Sequence, residues 1–102
     1  MSQANLTWEA ARKAYEELES AFDAKSPTGD IVAGAIAYCV MIAFEYRPRK
    51  TEEPHVPEAF VKRMLGDCAA TQIDTLLDEK GWHHLDAYKL KRTAEKHVGD
   101  LY

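Results

Sequence analysis

The sequence predicts an all-α protein, a small four-helix bundle, and three observations lead to this prediction. Apolar residues recur at steps of three and four along most of the chain, which is the spacing of one helix face. No stretch alternates strictly between apolar and polar residues, so no strand is expected. The stretch IVAGAIAYCVMIAF at 31–44 carries no formal charge. A helix that is apolar on all sides must be surrounded, so the second helix is expected to be central and buried.

The first helix is expected at residues 7–24. Its apolar side chains follow helical spacing: Trp8, Ala11, Tyr15, Leu18 and Phe22. Asn5 or Thr7 can cap its start by accepting a hydrogen bond from a free backbone N–H. The other positions are mostly charged, so this helix should pack against the core on one side only.

The second helix is expected at residues 27–46. Ser26 is the predicted cap and Pro27 the first helical residue, where the missing N–H of proline is no loss. Pro48 ends the helix, because the residue before a proline avoids the helical conformation. Gly34 costs about 1 kcal/mol relative to alanine in a helix interior. A close approach of a neighbouring helix would explain its presence.

Two further helices follow a proline-containing loop at 47–56. The third is expected at residues 57–80, with Pro57 as its first residue and an apolar stripe from Phe60 to Leu77. Gly81 should end it, because glycine adopts the left-handed cap conformation without steric cost. The fourth is expected at residues 85–98.

Composition and length place the whole chain, 1–102, in a single helical domain. It has 46% hydrophobic and 29% charged residues and a formal net charge of −4. That charge argues mildly against binding to nucleic acid or to an anionic membrane. The apolar stretch at 31–44 would rise about 21 Å as a helix, too short for the about 30 Å of a bilayer core. The N-terminus lacks the features of a secretory signal, so a cytoplasmic location is expected.

The residues that could carry chemistry do not form a recognisable catalytic motif, so no enzyme activity and no cofactor are expected. Cys39 and Cys68 occupy apolar helix positions and are interpreted as small buried side chains rather than a disulfide. Metal binding is an alternative, since the C-terminal part contains His83, His84 and His97. Adjacent residues point about 100° apart on a helix, however, so the first two would not chelate one ion from a regular helix.

Nucleic-acid association is a second alternative, and it depends on the basic fourth helix. Lys89, Lys91, Arg92 and Lys96 could contact phosphates, while Tyr88 or Trp82 could stack on bases. Acidic residues lie among these positions, which weakens the hypothesis.

Binding to another protein is the preferred hypothesis, with the function located on the charged helices and the loop around helix two. The candidate surfaces are the acidic face of helix one and the loop after helix two: Glu9, Glu16, Glu19, Asp23, Arg47, Arg49, Lys50, Glu52 and Glu53. An acidic protein of this size fits an inhibitor or adaptor. By size class alone it is comparable with phage or mobile-element inhibitors such as anti-CRISPR proteins, or with immunity proteins. A monomer or a homodimer is expected, with Trp82 or Tyr102 available for a dimer interface.

Overall fold

The computed structural model of the chain describes residues 6–20, 27–47 and 56–102, which contain four helices and no strand. The helices are α1 (Trp8–Ser20), α2 (Gly29–Glu45), α3 (Glu58–Lys80) and α4 (Ala87–Leu101). The predicted all-α bundle is therefore confirmed. Residues 21–24, where the first helix was expected to end, lie outside the described residues.

The helix starts differ from the prediction by one or two residues. Helix α2 begins at Gly29 with Thr28 as its cap, and the Thr28 hydroxyl accepts a hydrogen bond from the Ile31 N–H at 3.3 Å. Pro27 therefore precedes the cap. The Thr28 hydroxyl can accept a hydrogen bond from a free backbone N–H, whereas a proline side chain has no group that could do so. The predicted cap, Ser26, lies outside the described residues. At α3, Pro57 is itself the cap and precedes the first helical residue.

The predicted stop at Gly81 is confirmed, and α4 is longer than expected. Gly81 has a φ of 67°, in the left-handed region that favours glycine. Helix α4 continues past Val98 to Leu101, and both of these side chains are buried in the core. The Tyr102 N–H donates to the Val98 carbonyl at 3.0 Å, which closes the additional turn.

Helix α2 is the centre of the bundle, as its sequence predicts. Val32, Ala33, Ala37 and Met41 have no exposed surface. Helix α2 packs against α1 and α4 along its length and less extensively against α3, while α3 and α4 pack on each other. The uncharged sequence of α2 is thus explained by neighbours on three sides.

The helices alternate in direction, so α2 and α4 run parallel to each other. A Cβ built at Gly29 would lie 2.9 Å from Leu90 Cδ1, and at the other end the Phe44 and Tyr102 rings are 5.8 Å apart. A Cβ at Gly34 would lie 3.1 Å from the Ala14 Cβ, so α1 approaches α2 closely at this glycine, as expected. Helix α1 has no comparable contact with α3, which leaves these two helices on separate sides of α2.

Candidate protein-binding surface

Large apolar side chains are exposed mainly at one end of the bundle. In the part of the chain that the structure describes, seven are exposed, and six of these lie at the end where α1 and α3 start and α2 and α4 finish. We call these six the apolar end: Trp8, Tyr46, Val56, Phe60, Met64 and Tyr102. The seventh, Tyr88, lies at the opposite end of the bundle, in the first turn of α4.

Three residues of the apolar end have more than half of their surface exposed, and the other three have about 40%. Tyr46 is 81% exposed, Phe60 54% and Met64 52%. Phe60 and Met64 belong to the apolar stripe predicted for the third helix, but they lie outside the part of that stripe that is buried. Their positions on α3 turn away from α2 and α4, which Leu65 and Ala69 face instead. An exposed apolar cluster of this kind marks interaction surfaces in soluble proteins.

A groove runs beside the apolar end, between the second half of α2 and α3. It has a volume of about 530 Å³. We call it the α2–α3 groove and define it by the residues that line it: Cys39, Val40, Ala43, Phe44, Arg47, Leu65, Cys68 and Gln72. Most of these side chains are apolar, and Arg47 is the charged residue among them.

The two cysteines are exposed, which contradicts their interpretation as buried side chains. Both line the α2–α3 groove, so they open onto the same space. The reason lies in the helix arrangement: α1 and α3 stand on separate sides of α2 and leave Cys39 and Ala43 uncovered. Both thiols are free.

The electrostatics of the groove differ between its two ends. Near Cys39, partial burial of the thiol, together with the negative charge of Glu19, raises the pKa of Cys39. Glu19 also accepts a hydrogen bond from Tyr15, and this bond is the main cause of a raised Tyr15 pKa. At the other end, the Arg47 guanidinium lies 3.9 Å from the centre of the Phe44 ring and donates to the Phe44 carbonyl at 2.7 Å. The charged side chains nearest the groove are therefore Glu19, which acts on Cys39, and Arg47, which packs on Phe44.

The predicted acidic face of helix one is a mixed-charge surface in the described residues. Glu9 lies 4.0 Å from the Lys13 ammonium, and Glu16 lies 3.7 Å from Arg12. These are exposed pairs within one helix and contribute little to stability. Helix polarity places Glu9 and Arg47 at the apolar end, whereas Glu16 and Glu19 lie further along α1.

Five of the predicted partner-binding residues are outside the described part of the chain. They are Asp23, Arg49, Lys50, Glu52 and Glu53. Their role in binding stays a prediction.

Two of the basic residues of α4 form ion pairs within the protein. Lys91 pairs with Asp74 at 3.2 Å, and Lys96 pairs with Asp100 at 3.1 Å. Lys89 and Arg92 are exposed. Trp82 is only 5% exposed and packs in the core, so its predicted role in stacking on bases or in a dimer interface is wrong.

The histidines do not converge on a common site. Within the described ranges no group of three or more His, Cys, Asp or Glu residues is placed to hold a metal ion. His84 Nε2 lies 3.4 Å from the Pro27 carbonyl oxygen, while His83 is exposed in the turn before α4. His97 Nδ1 is buried without a hydrogen-bond partner and lies 3.8 Å from an Asp100 carboxylate oxygen.

Asp100 connects the N-terminal segment to α4. Its carboxylate accepts hydrogen bonds from the Leu6 N–H and from Lys96, both at 3.1 Å. Burial alone would raise the Asp100 pKa, but these two bonds and the positive charge of Lys96 lower it below its ordinary value. Burial lowers the pKa of His97, and this effect outweighs the negative charge of Asp100, which would raise it. Together these contacts support the fold at the apolar end.

Sequence reasoning missed both the apolar end and the groove. A signal was present in α3, where Phe60 and Met64 widen the apolar stripe beyond the face that Leu65, Ala69 and Ile73 define. Helix α3 packs against α4 and, less extensively, against α2, and these two neighbours cannot cover such a wide stripe.

Comparison with known proteins identifies a family for most of the chain. The family model described as "virulence factor CipC-like" matches residues 11–102. No curated protein and no solved structure matches the chain. Among the four described helices, none has both the length and the hydropathy of a membrane span.

Proposed function

The chain belongs to the virulence factor CipC-like family, and we propose that it acts without catalysis, by binding a partner protein through the apolar end. The observation that carries this proposal is the concentration of exposed apolar side chains at that end. The family model indicates no enzyme class, and the helical fold agrees with a binding module.

The composition of the apolar end supports a protein partner rather than a nucleic acid. Tryptophan, tyrosine, phenylalanine and methionine are enriched at the centres of protein interfaces, and a few such residues supply most of the binding energy. The end is flanked by charges of both signs, including Glu9 and Arg47 from the sequence-based candidates and Lys62 of α3. A partner with an apolar centre and a mixed-charge rim fits this pattern.

The finer role that we propose is that of an inhibitor or adaptor, in which the bound partner is blocked or recruited. The comparisons with anti-CRISPR and immunity proteins depend only on size class, and the family match adds nothing to them. The cytoplasmic location and the monomeric or dimeric state stay predictions.

The proposal is tested by a double substitution, Phe60→Ser with Met64→Ser. Both side chains are more than half exposed, so their loss should leave the fold intact. Tyr88→Ser is the matched control, since Tyr88 is 70% exposed at the opposite end. A partner captured from the source cells is purified, and its dissociation constant is measured for the wild type and the variants.

We expect the double substitution to weaken binding by at least about 30-fold, because the loss of even one interface anchor costs roughly 2 kcal/mol. The control should bind like the wild type. Equal binding by the double variant would refute the role of the apolar end. Light scattering of the purified protein is measured in parallel. If the wild type is a dimer and the double substitution dissociates it, the partner that binds the apolar end is a second copy of the chain.

A further inference from the structure

We propose that a cleft at the apolar end binds a quaternary ammonium group, a positively charged nitrogen with four carbon substituents. We call it the terminal cleft and define it by the residues that line it: Trp8, Ile42, Glu45, Tyr46, Leu101 and Tyr102. It has a volume of about 500 Å³. The cleft shares three residues with the apolar end, but the inference goes beyond the protein-binding function proposed above, because a small ion alone can occupy the cleft.

Three aromatic side chains from three helix ends line the terminal cleft. Trp8 begins α1, Tyr46 follows α2 and Tyr102 follows α4. Each of them has at least 38% of its surface exposed. The face of an aromatic ring is electron-rich and attracts cations, and several rings around one space recognise quaternary ammonium groups. The aromatic lining therefore favours a cation in the cleft.

Two of these rings are supported by rings that do not line the cleft. Trp8 contacts Tyr38 edge to face, with ring centres 6.2 Å apart and an angle of 74° between the planes. Tyr102 contacts Phe44, with ring centres 5.8 Å apart. Because these contacts already restrict Trp8 and Tyr102, less conformational entropy is lost when a ligand binds between them.

The charges at the cleft also favour a cation. Glu45 is exposed, lines the cleft and forms no ion pair within the described ranges. Helices α2 and α4 both end here, and the carbonyl end of a helix carries a partial negative charge. Neither helix has a basic residue in its last turn. Helix α1 begins here with the opposite polarity, but Glu9 lies in its first turn and the Thr7 hydroxyl accepts from the Ala10 N–H, which offsets it.

The basic side chains on the neighbouring helices do not line the cleft in the described part of the chain. Arg12 and Lys62 each pair with a glutamate of their own helix, at 3.7 and 3.6 Å. Arg47 packs on the Phe44 ring, and both line the α2–α3 groove instead. Lys62 Nζ also lies 5.6 Å from the centre of the Tyr102 ring, so this ring already interacts with a cation from outside the cleft.

The rest of the lining favours a quaternary over a primary ammonium. Leu101 is buried and Ile42 is half-buried, so this part of the lining is aliphatic. A primary ammonium has three N–H donors, and each donor that loses water without gaining an acceptor costs free energy. A quaternary ammonium has no N–H group, and its carbon substituents can pack on the aliphatic side chains.

Choline is the probe for this site. The full chain is titrated with choline chloride at constant ionic strength, and the choline methyl proton signal, which aromatic ring currents displace, is followed by NMR. The comparison probe is 3,3-dimethylbutan-1-ol, the uncharged isostere in which carbon replaces nitrogen. We expect choline to bind at least about tenfold more tightly than the isostere, because only the cation interacts favourably with the ring faces and with Glu45.

Substitutions at exposed positions separate the contributions of ring and charge. Tyr46→Leu removes a ring that is 81% exposed and should weaken choline binding at least about threefold, whereas Tyr46→Phe keeps the ring and should bind like the wild type. Glu45→Gln should weaken choline binding and leave binding of the isostere unchanged. Tyr88→Leu, at the opposite end of the bundle, should have no effect. Circular dichroism verifies that each variant is folded.

Three results would overturn the proposal. They are absence of choline binding to the wild type, binding of the isostere as tight as that of choline, and equal choline affinity of Tyr46→Leu and Tyr46→Phe. The double substitution Phe60→Ser with Met64→Ser lies outside the cleft and should leave choline binding unchanged. Failure of this inference can therefore be distinguished from failure of the proposed protein-binding function.

A further titration identifies the source of the quaternary ammonium group. The probe is a glycine-rich peptide with one trimethyl-lysine. If this peptide binds more tightly than choline, the group belongs to a side chain of a protein. If it binds equally or more weakly, the ligand is a free small ion.

Discussion

Gly34→Ala is expected to destabilise the protein, although alanine is the better helix former. The added Cβ would lie 3.1 Å from the Ala14 Cβ. Favourable carbon–carbon contacts are about 3.5–4.0 Å, so α1 and α2 would have to separate by roughly 0.4–0.9 Å. Overpacking of this kind costs about 1–3 kcal/mol, whereas replacing glycine within a helix returns about 1 kcal/mol. We expect a net loss of about 1 kcal/mol in the free energy of unfolding.

Gly66→Ala is the matched control for this prediction. Gly66 is also buried within a helix, but its new Cβ would lie 3.4 Å from Glu95 Cγ, an ordinary contact with a side chain that can move. This variant should gain about 0.5–1 kcal/mol in stability. Both are measured by urea unfolding followed by circular dichroism, with the unfolding slope checked for constancy.

A double variant isolates the contact itself. Combining Ala14→Gly with Gly34→Ala moves the single methyl group from α1 to α2 and removes the clash. The two substitutions should therefore couple by at least about 0.5 kcal/mol in a double-mutant cycle. If Gly34→Ala stabilises the protein as much as the Gly66 control does, the close approach of α1 and α2 is refuted.

Three further predictions concern the core, a helix cap and pH. Ala37→Asp places a charge at a fully buried position and should abolish cooperative thermal unfolding; a wild-type midpoint would contradict the central position of α2. Thr28→Ala removes the hydroxyl that accepts from Ile31 and should lower the free energy of urea unfolding by about 1 kcal/mol, whereas Thr28→Ser should not. Burial lowers the pKa of His97 in the folded state, so the unfolded state binds the proton more readily, and stability should decline as pH falls below the ordinary value of 6.5. His97→Gln should flatten that decline in urea midpoints measured across pH, and an unchanged slope would exclude His97 as its cause.

The helices were predictable because their signals are local. Spacing of apolar residues, the caps at Thr7 and Gly81 and the uncharged sequence of α2 are each read within a few residues of the chain. Where the end of α4 differs from the prediction, a tertiary contact decided the outcome. Leu101 extends α4 because it packs in the core.

Exposure was not predictable because it depends on which helices meet. Phe60 and Met64 share the helical spacing of Leu65, yet only the last faces another helix. Trp82 lies in a turn without helical spacing and is nevertheless buried. Helical periodicity identifies a stripe of apolar residues. How much of that stripe is buried depends on which helices pack against it.

The changing environment along one face of α2 argues that part of the function lies on this helix. Val32 and Ile36 lie on that face in the first half of α2 and are buried, whereas Cys39 and Ala43 continue it in the second half and are exposed. A helix face that is exposed to solvent usually carries polar residues, because polar side chains remain hydrated there. Here the exposed residues Cys39 and Ala43 are uncharged and small, which is the composition expected of a surface that is covered by a ligand or partner during function. Sequence reasoning located function on the charged helices around α2, and the position of the α2–α3 groove supports extending it to α2 itself.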